Sequence, residues 1–270
     1  MADDLRTWLD KVDAMGDLKR LDGADWDEEI GCISALNSNR RGPVLLFDNI
    51  KGYPHGFRVA TSVNVRPSTI ALTLNLPTDL SERELSFALV DKLKEAEANS
   101  AKFPPKVVKQ GPILENVKSG NDVDLFTFPT PKWHELDGGR YIGTGCALVT
   151  RDPDTGEINI GTYRIMIHDK KTLGLHVEPE RHARRHLEKY HERGLPCPVA
   201  LSFGHHPLIL RMAALQVPAG TEYGFAGAIS GEPVAVITEA ETGLPIPAQS
   251  EIVAAGWCPP GKMRDEVPFG

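Results

Sequence analysis

Apolar residues in the opening segment recur every three or four positions, at Leu5, Trp8, Leu9, Val12 and Met15. That spacing puts them on one face of an amphipathic helix, which Gly16 ends. Pro43-Val44-Leu45-Leu46-Phe47 is a continuous apolar run between Arg41-Gly42 and Asp48-Asn49, so it reads as a buried strand, and Arg58 to Val63 predicts a second one. From Ser81 to about Ala101 the pattern turns helical again. Ser81 and Glu84 fit a capping box, and Leu85, Leu89 and Leu93 repeat at four-residue spacing.

After Pro104-Pro105 strand-like runs dominate, at Cys146 to Thr150, Ile158 to Ile167, Val199 to Phe203 and Val234 to Thr238, with Gly, Pro and Asp turns between them. Asp152-Pro153-Asp154-Thr155-Gly156 predicts a hairpin, because Pro presets one backbone angle and Gly supplies the other. One helix, from about Pro179 to Arg193, is expected to interrupt. The change of texture places a boundary near 102–107. The expected fold class is therefore α+β, with a mixed α/β domain over 1–104 followed by a β-rich domain over 105–270.

Composition narrows the function. A net charge of -7 over 270 residues argues against a protein whose main business is gripping nucleic acid or anionic lipid through a basic face, so small partners are expected. No apolar stretch is long enough to span a membrane, and the acidic start Met1-Ala2-Asp3-Asp4-Leu5 lacks the basic and apolar regions of a targeting peptide. A cytoplasmic location is expected. Cys32, Cys146, Cys197 and Cys258 lie far apart and form no CxxC.

Seven of the nine histidines crowd into residues 168–206, which raises a metal site as one possibility. His182 and His186 have the i, i+4 spacing of two ligands on one helix face, but the glutamate of an HExxH motif is missing, and both also fit the surface of a charged helix. Asn159-Ile160-Gly161-Thr162-Tyr163-Arg164 carries a carboxamide and a guanidinium five residues apart. On a straight strand these point to opposite faces, so a shared site requires an irregularity at Gly161. Glu222 opens a small-residue run to Gly231 that could host a phosphate or a flat ring, and His134 to Tyr141 reads as a polar turn. The chain has no GxGxxG after a strand, no P-loop and no nucleophile elbow.

Taken in order, several blocks resemble the UbiD family of decarboxylases. They are Asp4-Leu5-Arg6 through Arg20, Gly42 to Asn49, Asp137-Gly138-Gly139-Arg140-Tyr141-Ile142, Asn159 to Arg164, Glu222 to Gly227, Pro247 to Val253 and Glu266 to Gly270. The resemblance implies a split-barrel flavin-binding domain over 105–270. It also implies prenylated FMN as cofactor, with a divalent metal, usually Mn2+, and K+ at the phosphate. By resemblance Asn159, His182 and Glu222 match the metal-ligand positions, with His186 as competitor to His182. Thr162, Tyr163, Arg164, Arg181 and His182 match cofactor contacts, together with Asn159 and Glu222. One imidazole among oxygen ligands suits a hard manganese ion.

The implied reaction is non-oxidative, reversible decarboxylation of an α,β-unsaturated or aromatic carboxylic acid. The modified flavin serves as electron sink, Arg164 orients the carboxylate and Glu266 holds Arg164. The family takes its product proton from an Asp or Glu five residues after the position of Glu266, which here is position 271, so the natural polypeptide is expected to continue past Gly270. Members also carry a further carboxy-terminal domain. A flavin-binding subunit or fragment without turnover is the alternative. The expected partners are a small carboxylic acid, a flavin prenyltransferase that supplies the cofactor, and further copies of the chain in a homodimer or larger oligomer, with no nucleic acid and no membrane.

Overall fold

In the computed structural model the Asp4 carboxylate accepts the Thr7 amide and starts α1 (Leu5–Ala14), which buries Trp8, Leu9 and Val12. Residues 3–264, 266 and 269 are described. Met1 and Ala2 of the acidic start, and Asp265, Val267, Pro268 and Gly270 of the last block, therefore lie outside the described residues.

The apolar face of α1 packs on a small sheet in which β2 (Val44–Asp48) lies between parallel β1 (Leu18–Asp22) and antiparallel β3 (Val59–Thr61). Side chains alternate across a strand, so Val44 and Leu46 meet Trp8, Leu9 and Val12, while Leu45 and Phe47 meet Ile30 of α2 (Glu29–Asn39) on the other face. Both faces of β2 are covered, which is why its sequence is a continuous apolar run rather than an alternating one. Each such buried side chain contributes about 2 kcal/mol.

A short α3 (Pro67–Thr73) leads to α4 (Glu82–Asn99), whose Ser81–Glu84 capping box forms in full. A 3-10 turn over Ser100–Lys102 and the short β4 (Lys106–Val107) follow, at the position where the sequence places a boundary. Packing nevertheless runs across it. Leu74 and Ala96 share one core with Leu208, Met212, Phe225 and Ala226.

Beyond the boundary, β13 (Ile252–Cys258), β10 (Cys197–Phe203), β6 (Ala147–Arg151) and β7 (Ile158–Gly161) make an antiparallel sheet in that order. A second sheet has β8 (Arg164–Ile167) between β5 (Arg140–Gly143) and β9 (Leu173–His176). A third joins β12 (Pro245–Pro247), β11 (Ala235–Thr238) and β4. The Asp152 to Gly156 turn links β6 to β7 as expected, with the Asp152 carboxylate accepting the Asp154 and Thr155 amides.

Two expectations are corrected. Ile158 to Ile167 is not one strand, because β7 and β8 belong to different sheets and the chain turns between them at Thr162-Tyr163. Nor does a single helix interrupt the strands. Besides α5 (His182–Glu192) there are α6 (Pro207–Ala214) and α7 (Glu222–Ser230). Helix α7 is buried nearly all round, so it has no polar face and no amphipathic period to read. Its Gly224 and Gly227 serve packing: a Cβ at either would come within 2.7 Å of the Ser100 carbonyl oxygen or of Phe103.

His205 and His206 precede α6, and burial pushes both imidazoles down to about 4. The Nδ1 of His206 accepts the Leu208 amide as the helix cap, and the Nδ1 of His205 bonds Ser202. Both are neutral in the fold but take up protons in the unfolded chain below about pH 6.5, so their contribution is present above that pH and is lost as pH falls toward 4. Stability is expected to drop by up to about 1.4 kcal/mol per pH unit per histidine in that window. Urea unfolding at pH 6.5, 5.8 and 5.2 checks it, and a flat response would contradict the assignment. Among the described residues no helix is long and apolar enough to cross a membrane.

Candidate active site

The turn from β7 to β8 organises the site. Gly161 has no Cβ, and one placed there would lie within 2.7 Å of the Tyr163 ring, so the missing side chain lets that ring fold back over the end of β7. The Thr162 amide donates to the Ala213 carbonyl of α6, and the Cys146 thiol donates to the Tyr163 carbonyl. These bonds hold the chain as it leaves one sheet for the other.

The Tyr163 phenol lies where several sequence-selected groups meet. Burial pushes its pKa up, and the Ala183 amide at the start of α5, the Asn159 carboxamide and the Arg181 charge oppose that, while the Glu222 charge adds to it. Asn159 is only 3% exposed, and although its carboxamide faces the Tyr163 phenol, its Nδ2 is within hydrogen-bonding geometry of no described residue. Glu222, 4% exposed, opens α7; burial raises its carboxyl to about 7 against its own amide and that of Ile160. The structure thus gathers Asn159, Tyr163, Glu222 and the first residues of α5 around the end of β7.

His182 is the first residue of α5 and is partly exposed, whereas Arg181 precedes the helix without a side-chain capping bond and pairs with Glu178 at 3.3 Å. His186 is elsewhere, buried, with its Nδ1 bonded to Thr150 at 2.9 Å and its pKa lowered by burial. The Thr162 hydroxyl faces the Cys146 thiol. The other histidines disperse: His191 bonds the Cys258 carbonyl, and His205 and His206 are fixed near α6. Among the described residues no group of three or more His, Cys, Asp or Glu side chains could hold a metal, so the histidine crowding is a feature of sequence and not of space.

On the far side of the turn Arg164 begins β8. Its Nε and Nη2 donate to the two oxygens of Glu266, each at 2.9 Å, although the residues are 102 positions apart. Nη1 makes no hydrogen bond to any described residue. Two further groups reach Glu266, neither of them selected from the sequence: the Nδ1 of His176 at 3.0 Å and the Tyr141 hydroxyl. Burial and the Glu266 charge push the Tyr141 phenol up to about 12. The Phe269 ring lies tilted against Tyr141, with centroids 4.4 Å apart, and 5.7 Å from the Arg164 guanidinium. Tyr141 belongs to the family-like block Asp137 to Ile142, where the sequence alone reads as a polar turn.

A cavity of about 360 Å3 lies between the first small sheet and the second half, lined by Leu9, Leu46, Phe57, Phe128, Trp133 and Tyr141 among others. Arg140 fastens the same seam. Its guanidinium stacks on Trp26 at 4.2 Å, bonds the Thr130 and Phe128 carbonyls and meets the Tyr53 hydroxyl.

A buried oxygen donor set at a strand end, a guanidinium clamped by a carboxylate and a two-part α/β frame together define a class, and the chain belongs to the UbiD family. It matches the family's 3-octaprenyl-4-hydroxybenzoate carboxy-lyase Rift-related domain over residues 106–270 and the corresponding N-terminal domain over 9–89. It is 34% identical to the pyrrole-2-carboxylic acid decarboxylase of Pseudomonas aeruginosa, over 99% of this chain and 55% of that protein. To the phenolic acid decarboxylase of Streptomyces sp. it is also 34% identical, over 99% of this chain and 57% of the relative. Among solved structures, the closed form of Sedimentibacter hydroxybenzoicus vanillic acid decarboxylase superimposes with a TM-score of 0.89 at 31% identity, over 100% of this chain and 58% of that one. The UbiD-class enzyme HmfF from Pelotomaculum thermopropionicum, in complex with FMN, gives 0.87 at 29%, over 99% and 57%. The chain therefore spans little more than half the length of these relatives.

Proposed function

We propose that this chain is the cofactor-binding portion of a prenylated-FMN-dependent decarboxylase acting, reversibly, on an aromatic or α,β-unsaturated carboxylic acid. The observation that carries the reading is Arg164, held edge-on by Glu266 with Nη1 bonded to no described residue, at the end of the same chain passage whose Tyr163 phenol feels both Asn159 and Glu222. The relatives' decarboxylase names and the FMN complex of HmfF support it. In this reading residues 1–104 and 105–270 are the two domains, and the sheets that exchange the chain at Thr162-Tyr163 are the halves of a split barrel.

The residues fit the group. Asn159 is a buried amide with an unused nitrogen, which leaves it free to turn its oxygen to a cation, and Glu222 adds a desolvated carboxylate. With His182 they would hold Mn2+, and K+ would neutralise the cofactor phosphate nearby. Thr162, Tyr163, Arg164 and Arg181 would line the flavin. When bound, the modified flavin supplies the electron sink for the carbanion left as carbon dioxide departs. The protein's own part is orientation. Arg164 presents Nη1 to the substrate carboxylate, Glu266 prevents the fork from rotating, and Phe269 and Tyr141 exclude water from one side of it. Partners in this reading are the carboxylic acid, a flavin prenyltransferase and further copies of the chain.

The test is coexpression with a flavin prenyltransferase, followed by mass and absorbance spectra of the bound flavin and carbon dioxide release from pyrrole-2-carboxylate, 4-hydroxybenzoate and cinnamate. Absence of any retained flavin would refute the reading, and flavin without turnover would move it to a binding subunit. In the same material His182→Ala is expected to cut Mn2+ and flavin retention together by about tenfold or more. His186→Ala should leave retention alone and lower stability, because it strips a buried partner from Thr150. The reverse pattern would move the ligand one helical turn.

A further inference from the structure

Arg164 and His176 are directly opposite in the β8–β9 ladder, so their side chains share one face of the sheet. Both reach the same carboxylate: Arg164 takes one oxygen of Glu266 with Nε and the other with Nη2, and His176 Nδ1 lies 3.0 Å from that second oxygen. Tyr141, opposite Met166 on the neighbouring strand β5, adds its hydroxyl. A carboxylate bound only by a guanidinium can pivot about the two parallel bonds. A third donor from a different strand removes that freedom, and a fourth from the other side of β8 removes more.

We propose that His176 is a positioning residue: it fixes Glu266 so that Glu266 holds the Nε–Nη2 edge of Arg164 and keeps Nη1 turned toward the substrate carboxylate. The substrate half of this statement rests on the decarboxylase reading above, while the Arg164 half does not. His176 lies at the end of the edge strand β9 with 47% of its side chain exposed, so no core packing depends on it. A structural role alone gives it no reason to face a charged pair. The chemistry at Nδ1 is specific, because a donor at that position reaches the oxygen shared with Nη2. Asparagine can place its amide nitrogen near the same point, whereas leucine fills a similar volume without a donor.

The test compares the unsubstituted protein with His176→Leu and His176→Asn. The first readout needs no flavin: the rate at which phenylglyoxal, an arginine-selective reagent, modifies Arg164, followed by mass spectrometry of the peptide that carries it. An arginine locked edge-on against a carboxylate reacts slowly. His176→Leu is expected to speed Arg164 modification about threefold or more, with Arg140 unchanged as internal reference, and His176→Asn to restore most of the protection. The second readout is the KM and kcat split on the flavin-loaded protein, where His176→Leu should raise KM for the acid about tenfold with a smaller change in kcat, and His176→Asn should recover most of it. Equal Arg164 reactivity in His176→Leu and the unsubstituted protein overturns the proposal, whether or not any acid is turned over. If the loaded protein releases no carbon dioxide, the reagent arm still decides the positioning role, so failure of the decarboxylase reading is distinguishable from failure of this one.

Discussion

Replacing Arg164 with lysine is expected to lower turnover by about a hundredfold or more, equivalent to about 2.7 kcal/mol of barrier, while flavin retention stays near normal. Lysine keeps the charge but not the planar fork, so it cannot engage both oxygens of Glu266 and still offer a second edge to a substrate. Its ammonium would settle against Glu266, and the acid would bind without a fixed orientation. Arg140 and Arg181 are already engaged: Arg140 is enclosed by Trp26 and Tyr53 and bonded to two carbonyls, and Arg181 is paired with Glu178. Steady-state kinetics beside a flavin absorbance spectrum make the check. Near-normal kcat/KM in the lysine variant would show that a different group orients the carboxylate.

The largest effect on stability is expected from a change that looks beneficial on paper. Gly31→Ala adds a better helix former to α2, a gain of about 1 kcal/mol. The added methyl, however, would fall on the backbone carbonyl of Trp133. That segment cannot retreat, because the Glu28 amide donates to the Lys132 carbonyl, the Lys132 amide donates to Trp26, and the Lys132 ammonium pairs with Glu28. Overpacking of this kind costs about 1–3 kcal/mol or more when the partner is a side chain, and a fixed backbone is worse. A net loss of about 2 kcal/mol or more is expected in urea unfolding. Because the Trp133 indole donates to the Tyr141 carbonyl, the disturbance should also reach β5. An alanine variant as stable as the original would mean that α2 docks more loosely than its contacts imply.

Elements with one wet face and one dry face could be read directly. Trp8, Leu9 and Val12 declare α1, and Ser81 with Glu84 declares the start of α4. Helices α2 and α7 could not be read in this way. Helix α2 starts at Glu28, which has a positive φ and no side-chain cap, and carries Gly31 for a contact more than a hundred residues away. Helix α7 is apolar on every side and holds glycines that look like a ligand loop until Ser100 and Phe103 are seen against them. The same limit applies to the site. Asn159, Arg164, Glu222 and Glu266 could be named by resemblance, but a half-exposed histidine at the end of a short edge strand carries no pattern of its own. His176 becomes visible only when the β8–β9 register sets it across from Arg164.

The passage from β7 to β8 also acts as a ruler. Asn159 and Arg164 sit on one unbroken stretch of backbone, so their Cα atoms cannot lie more than about 17 Å apart, five steps of extended chain. Only the two-residue turn Thr162-Tyr163 separates the strands that carry them. A residue inserted at Thr162-Tyr163 would fall where the Thr162 amide is bonded to Ala213 and the Tyr163 carbonyl to Cys146, so it is expected to disturb the Arg164–Glu266 pair. An insertion in the Asp152 to Gly156 turn only lengthens a hairpin tip. The spacing of Asn159 and Arg164 is therefore bounded by the peptide chain itself rather than by how separate elements happen to pack.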